Sequence, residues 1–196
     1  MLFFLFIYLQ VAAYYVYWCI YICKWRGKMK DVKKLTYTAL LTAWVILIPI
    51  YFKGLQVQIP PFTATITAHV PIFIAMLLGP EAAVMVAFGS ALGFFISAPV
   101  VVAARALMHV AVALVGAFAI RKGISFNKSL ILTAPIHAVL EALVVIPFGY
   151  TMYSVLVVVG VGTLLHHSVD AVISSVLVKS ISKATRKDIV KELSAR

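Results

Sequence analysis

Arg105 and His109 stand one helical turn apart inside 98–120, a run of apolar residues long enough to cross a bilayer. A cation in hydrocarbon costs at least about 2.5–3.5 kcal/mol on insertion scales, so Arg105 should face the bundle interior, a wet cavity or an acidic partner. A second pair, His137 and Glu141, is spaced i, i+4 in the apolar run 129–148. His69 lies at the outer end of a short apolar run at 70–79. Counted at about 1.5 Å per residue, Arg105, Glu141 and His69 share a level, with His109 and His137 beneath them and Tyr150 above. A guanidinium offers paired donors in a planar fork, so this grouping suits a ligand carboxylate. The competing reading is an Arg105–Glu141 ion pair that neutralises both groups and fixes helix packing. An ion pair that also touches ligand satisfies both.

The last apolar run, 153–178, carries His166-His167-Ser168-Val169-Asp170. Histidine and aspartate at that spacing could ligate a metal, which raises an intramembrane metal enzyme built on His109, His137, His166 and Asp170. A bis-histidine haem between His109 and His137 is a further version of the same idea. HExxH is absent, and a third convergent ligand and a general base would still be needed. Interhelical hydrogen bonds from His166 or His167 to Asp170 are the plainer alternative. The expectation is therefore no catalytic residue, no metal and no cofactor in this chain. No Walker motif or Gly-rich phosphate loop is present either, so uphill movement of a solute would need an ion gradient or a partner's energy.

The elements that must position these residues follow from composition. The chain has 196 residues, 64% hydrophobic and 12% charged, with a mean hydropathy of +1.07. Soluble chains average about 25% charged, so the expected class is an all-α integral membrane protein. The net charge of +11 could suggest nucleic acid, but the placement of the cations argues against it. All of the seventeen Lys and Arg except Lys53 and Arg105 fall before 35, in the loop 121–128, or after 178. That asymmetry puts those segments on the cytoplasmic side. The reading is a six-helix bundle over 29–196 with both termini cytoplasmic. Residues 1–28 form either an extra apolar helix or a mis-annotated start ahead of Met29. Cys19 and Cys23 lie within that segment and form no CxxC pair.

Between the apolar runs at 35–52 and 70–79, residues 54–69 alternate with period two around Pro60-Pro61. This reads as extended chain, with its aliphatic side on the bundle and Gln58 and Thr65 turned toward something polar. A lid over the site and a plain external loop both fit. Ala39-Leu-Leu-Thr-Ala43 puts two small residues on one helix face, a surface for close helix approach. Ala83, Ala87 and Ala91 make another small stripe, and Gly89-Ser-Ala-Leu-Gly93 a third.

Taken together these stretches resemble the substrate-binding S component of energy-coupling factor vitamin transporters. The resemblance covers 29–183. It rests on Leu35-Thr-Tyr-Thr-Ala-Leu-Leu-Thr-Ala43 and on Pro61-Phe-Thr-Ala-Thr-Ile-Thr-Ala-His69-Val-Pro-Ile-Phe-Ile-Ala-Met76. It continues through Gly89-Ser-Ala-Leu-Gly-Phe-Phe95, Arg105-Ala-Leu-Met-His109 and Gly162-Thr-Leu-Leu-His-His-Ser-Val-Asp170. The pattern is similar to the branch associated with pantothenate, niacin or hydroxymethylpyrimidine; the apolar segment before Met29 departs from it. The resemblance implies a multi-pass binder in a bacterial cytoplasmic membrane that captures a vitamin from outside. It also implies a transmembrane T component as partner, with Ala39 and Ala43 at the contact, and two ATPases that consume the ATP. The loop between the first two helices would gate the site. An arginine beside histidines suits the carboxylate of pantothenate or niacin, and the Gln and Thr side chains of the loop lean the reading toward pantothenate.

Overall fold

The computed structural model describes residues 32–194. The segment 1–28 and its two cysteines lie outside the described residues. From Val32 onward the chain forms α1 (Val32–Tyr51), a two-stranded hairpin of β1 (Gln56–Ile59) and β2 (Phe62–Thr65), and a short helix α2 (Val70–Leu78). Then come α3 (Pro80–Ser97), α4 (Val100–Leu107), α5 (His109–Arg121), α6 (Phe126–Val145), α7 (Gly162–Thr185) and α8 (Ile189–Ser194). Among the described residues, five stretches are long and apolar enough to cross a membrane, with α4 and α5 forming a single span Val100–Arg121.

The short α2 is the bundle's centre. Eight of its nine residues are buried, and Phe73, Met76 and Leu77 pack against Ala83, Val86, Ala113 and Ala117 of its neighbours. A helix buried on all sides needs no polar face, which is why it is apolar throughout. The long helices instead turn apolar side chains outward: Leu40, Phe95, Ile131, Leu165 and Val172 are exposed. That is the pattern of a chain whose surroundings are lipid.

Small residues set the close contacts. A Cβ on Gly93 would come 2.7 Å from the Ile46 carbonyl oxygen, so α1 and α3 touch backbone to backbone. Ala39 and Ala43 are not used this way; they lie exposed on the outer face of α1.

Three features differ from the sequence expectation. The span expected at 98–120 starts only at Val100, because Pro99 lacks an N–H and sits ahead of the first turn. It also tightens between Arg105 and His109, where the Met108 N–H bonds to the Arg105 carbonyl, three residues back. The extended segment is a true hairpin, pairing Gln56 with Thr65 and Ile59 with Phe62 across a turn at Pro60-Pro61. Its aliphatic side does not lie wholly on the bundle. Phe62 and Ala64 of β2 are buried, but Val57 and Ile59 of β1, the outer strand, are exposed. Finally, the last span opens with a wide π turn over Ser154–Val161 before α7 proper, which runs on to Thr185.

The two ends of the bundle differ chemically. At one end Glu81 accepts from Lys34 at 3.3 Å and Arg121 at 3.1 Å, joining α1, α3 and α5. The hairpin and the polar groups of the candidate site lie at the other.

Candidate functional site

All five histidines of the chain gather in one cluster. His69 precedes α2, His109 opens α5, His137 is on α6, and His166 and His167 are on α7. The ring centroids of His69 lie 4.7 Å from His109, 4.8 Å from His137 and 4.5 Å from His166. Sequence spacing within single helices could pair neighbours; only the packing of four elements brings these five together.

Above the cluster, Arg105 and Glu141 form a buried ion pair. Arg105 Nε and Nη2 both donate to Glu141 Oε2, at 3.1 and 2.6 Å, and Nη1 donates to the Pro61 carbonyl at 3.0 Å. The guanidinium carbon sits 5.1 Å from the Phe62 ring centroid. The Thr163 hydroxyl also donates to Glu141 Oε2, and His109 and His137 face Oε1 at 3.5 and 3.3 Å. Arg105 therefore holds the hairpin turn and the carboxylate at once. A guanidinium has five N–H donors, so two remain beyond these three bonds.

Asp170 works from α7. Its Oδ1 accepts the Thr67 main-chain N–H at 2.9 Å, and its Oδ2 accepts the His69 main-chain N–H at 3.0 Å and Nδ1–H at 2.9 Å. This one carboxylate fixes the loop between the hairpin and α2. It holds Thr67 at φ 71, a left-handed conformation rare for a β-branched residue. His166 Nε2 adds a bond to the Thr65 carbonyl at 3.0 Å, tying β2 to the same helix.

Between hairpin, α3, α4 and α7 lies a half-open cavity of about 290 Å³ counting its mouth. Of the residues singled out from sequence, Thr65, His69, Arg105, His109 and Glu141 line it. His137 is fully buried beneath, outside the lining. Gln58 is exposed on β1 and donates to Gln56, and Tyr150 packs with the apolar group around Val145 and Val155; neither lines the cavity. His166, singled out from sequence as a metal ligand or a partner of Asp170, lines the cavity too and stands 3.3 Å from Asp170 Oδ2. Sequence reasoning missed the lining residues Thr63 and Phe94, and also Thr163 and Ser90, which hydrogen-bond Glu141 and His109. The sequence marks Ser90 only as part of a small-residue face. The signal for Thr163 is its spacing: it sits three and four residues before His166 and His167, one turn up the same face.

Among the described residues, two groups of side chains bring potential metal ligands within 4.8 Å of one another: His69, His109 and His137, and His69, His166 and Asp170. A haem does not fit the first. His109 and His137 touch directly, with centroids 5.0 Å apart, leaving no room for a porphyrin plane between them. The chemistry on offer is a pocket walled by a guanidinium paired with a carboxylate, three imidazoles and the phenyl ring of Phe94, suited to a small anionic planar ligand.

No family model and no solved structure matches the chain. Among curated proteins it is 35% identical over 181 residues to the niacin transporter NiaX of Lactococcus lactis subsp. cremoris (strain MG1363), covering 84% of this chain and 81% of that one.

Proposed function

We propose that this chain, which belongs to the substrate-binding S components of energy-coupling factor vitamin transporters, binds niacin in the cavity beside Arg105 and hands it across the membrane. The kinship to a niacin transporter over most of both chains is the observation that carries the choice of vitamin. The family is one of transport subunits, and the metal- or haem-enzyme alternative finds no support.

Niacin displaces the earlier leaning toward pantothenate. The pantothenate reading rests on the loop's glutamines and threonines; Thr63 and Thr65 line the cavity, but Gln58 is exposed on β1 and does not. The free N–H donors of Arg105 face the carboxylate, and Phe94 and His166 flank the ring.

The basic end, with Lys34 and Arg121, faces the cytoplasm, and the hairpin faces outward as the gate. A T component docks on the α1 face bearing Ala39 and Ala43, and two ATPases on that partner supply the energy. The membrane is the bacterial cytoplasmic membrane.

Competition against labelled niacin on the purified full-length protein tests this reading. Unlabelled niacin should compete best. Nicotinamide, which keeps the ring and loses the carboxylate, should be at least about tenfold weaker, one lost charged contact being worth some 1.5–3 kcal/mol. Equal competition by pantothenate or nicotinamide would refute it.

A further inference from the structure

One buried atom in the histidine cluster has no hydrogen-bond partner: His137 Nε2. The tautomers explain why. His167 Nε2 lies 2.9 Å from the Leu130 carbonyl oxygen, which can only accept, so this nitrogen carries the proton. His167 Nδ1 is then a lone pair, and His137 Nδ1, 3.0 Å away, must donate to it. A neutral His137 is left with a bare Nε2 directed at Glu141 Oε1, 3.3 Å away. Two lone pairs facing each other in a buried site repel.

His69 and His109 repeat the arrangement. His69 spends its Nδ1 proton on Asp170, so its Nε2 is bare, 3.2 Å from His109 Nε2. His109 Nδ1 meets the Ser90 hydroxyl at 3.1 Å, which accepts as well as donates, so its Nε2 is free to be bare too. His109 Nε2 is 3.5 Å from Glu141 Oε1. Three imidazole nitrogens and one carboxylate oxygen thus follow one another in close pairs, His69 to His109 at 3.2 Å, His109 to Glu141 at 3.5 Å and Glu141 to His137 at 3.3 Å, and the three histidines offer ligand atoms within 4.8 Å of one another. Ligands at about 2.0–2.1 Å from a tetrahedral metal stand about 3.3–3.4 Å from one another.

The surrounding shell is that of a metal site as well. Each ring has a partner on its other nitrogen, Asp170, Ser90 and His167 respectively, which fixes ring orientation. Glu141 Oε2 is held by Arg105 and Thr163, leaving Oε1 for the centre. The other group, His69, His166 and Asp170, has no such vacancy. Asp170 already accepts from His69 twice, and His166 Nε2 must donate to the Thr65 carbonyl.

We propose that His69, His109, His137 and Glu141 bind one divalent transition metal of the zinc class through three Nε2 atoms and Glu141 Oε1. Imidazole donors select such ions over calcium or magnesium, which want oxygen. The ion would underlie the cavity wall formed by His69, His109 and Glu141, adding positive charge where Arg105 already stands. The site consists of protein atoms alone and does not rest on the vitamin reading.

Tag-free full-length protein, purified without vitamin and equilibrated with zinc, should retain about one zinc per chain after metal-free dialysis. Replacing zinc by cobalt(II) should give the visible bands of a four-coordinate ion. His137→Gln should abolish both signals, while Ser175→Ala, remote from the cluster, should keep them. Substoichiometric zinc in wild type, cobalt without four-coordinate bands, or bands surviving in His137→Gln would overturn the site. Were His137→Gln to fail to fold, the wild-type zinc count and cobalt spectrum would still decide. Niacin binding on the same preparation reports separately on the transported ligand.

Discussion

Replacing Asp170 with asparagine asks whether one carboxylate holds the gate-to-core loop. The carboxylate takes three donors, the Thr67 N–H at 2.9 Å and the His69 N–H and Nδ1–H at 3.0 and 2.9 Å. It also holds Thr67 in a left-handed conformation, which costs about 1–3 kcal/mol and needs its surroundings to enforce it. An amide has one oxygen. Its cheaper orientation keeps that oxygen on the two His69 donors and turns the NH2 toward the Thr67 N–H, donor against donor. One bond to a charged acceptor, worth about 1.5–3 kcal/mol, is lost, and the other two become neutral-acceptor bonds. The expected cost is about 2–4 kcal/mol, or roughly thirty- to several-hundred-fold in an equilibrium. Thr65, Ala68 and His69 line the cavity on the anchored stretch, so the loss should appear as weaker niacin binding through faster dissociation. Equilibrium dialysis with labelled niacin gives the affinity, and release after dilution gives the rate. Asp170→Asn that binds within about threefold of wild type and releases niacin equally slowly would refute the anchor.

Arg105→Lys should lose at least about tenfold in niacin affinity despite keeping the charge, because an ammonium cannot span Glu141, the Pro61 carbonyl and a ligand carboxylate together; unchanged binding would remove Arg105 from the pocket. Glu141→Gln leaves Arg105 uncompensated, so the ligand-free protein should lose about 3–5 kcal/mol of stability, measured by denaturation, and niacin should restore part of it by supplying an anion. Ala39→Leu with Ala43→Leu should weaken co-purification with a T component while niacin affinity of the isolated chain stays within about twofold, since both residues lie exposed on α1, away from the cavity. A chain beginning at Met29 is expected to insert and bind niacin as the full chain does; loss of either would make residues 1–28 part of the bundle.

Composition alone determined the class, because 64% hydrophobic residues and 12% charged leave no way to satisfy a solvated surface of that size. The cation asymmetry supplies an expectation for the polarity of the spans, and the small-residue stripes gave close contacts such as Gly93 against α1. The intramembrane Arg105 was legible as a buried, partnered cation for a general reason: hydrocarbon makes an unpaired charge so costly that its presence implies a partner. Its partner Glu141 could be named because both sit at one calculated depth. Depth along a helix is a one-dimensional quantity that residue counting supplies. Rotation about each helix axis is not, and that is what the tertiary structure decided. It left Gln58 and Tyr150 outside the cavity lining and brought His166 into it. It set His137 below the cavity with its Nε2 toward Glu141, and gave Asp170 to the loop ahead of α2. Those choices follow from how α2 is enclosed by its neighbours and how the hairpin folds over the bundle, contacts between residues some hundred positions apart in the chain.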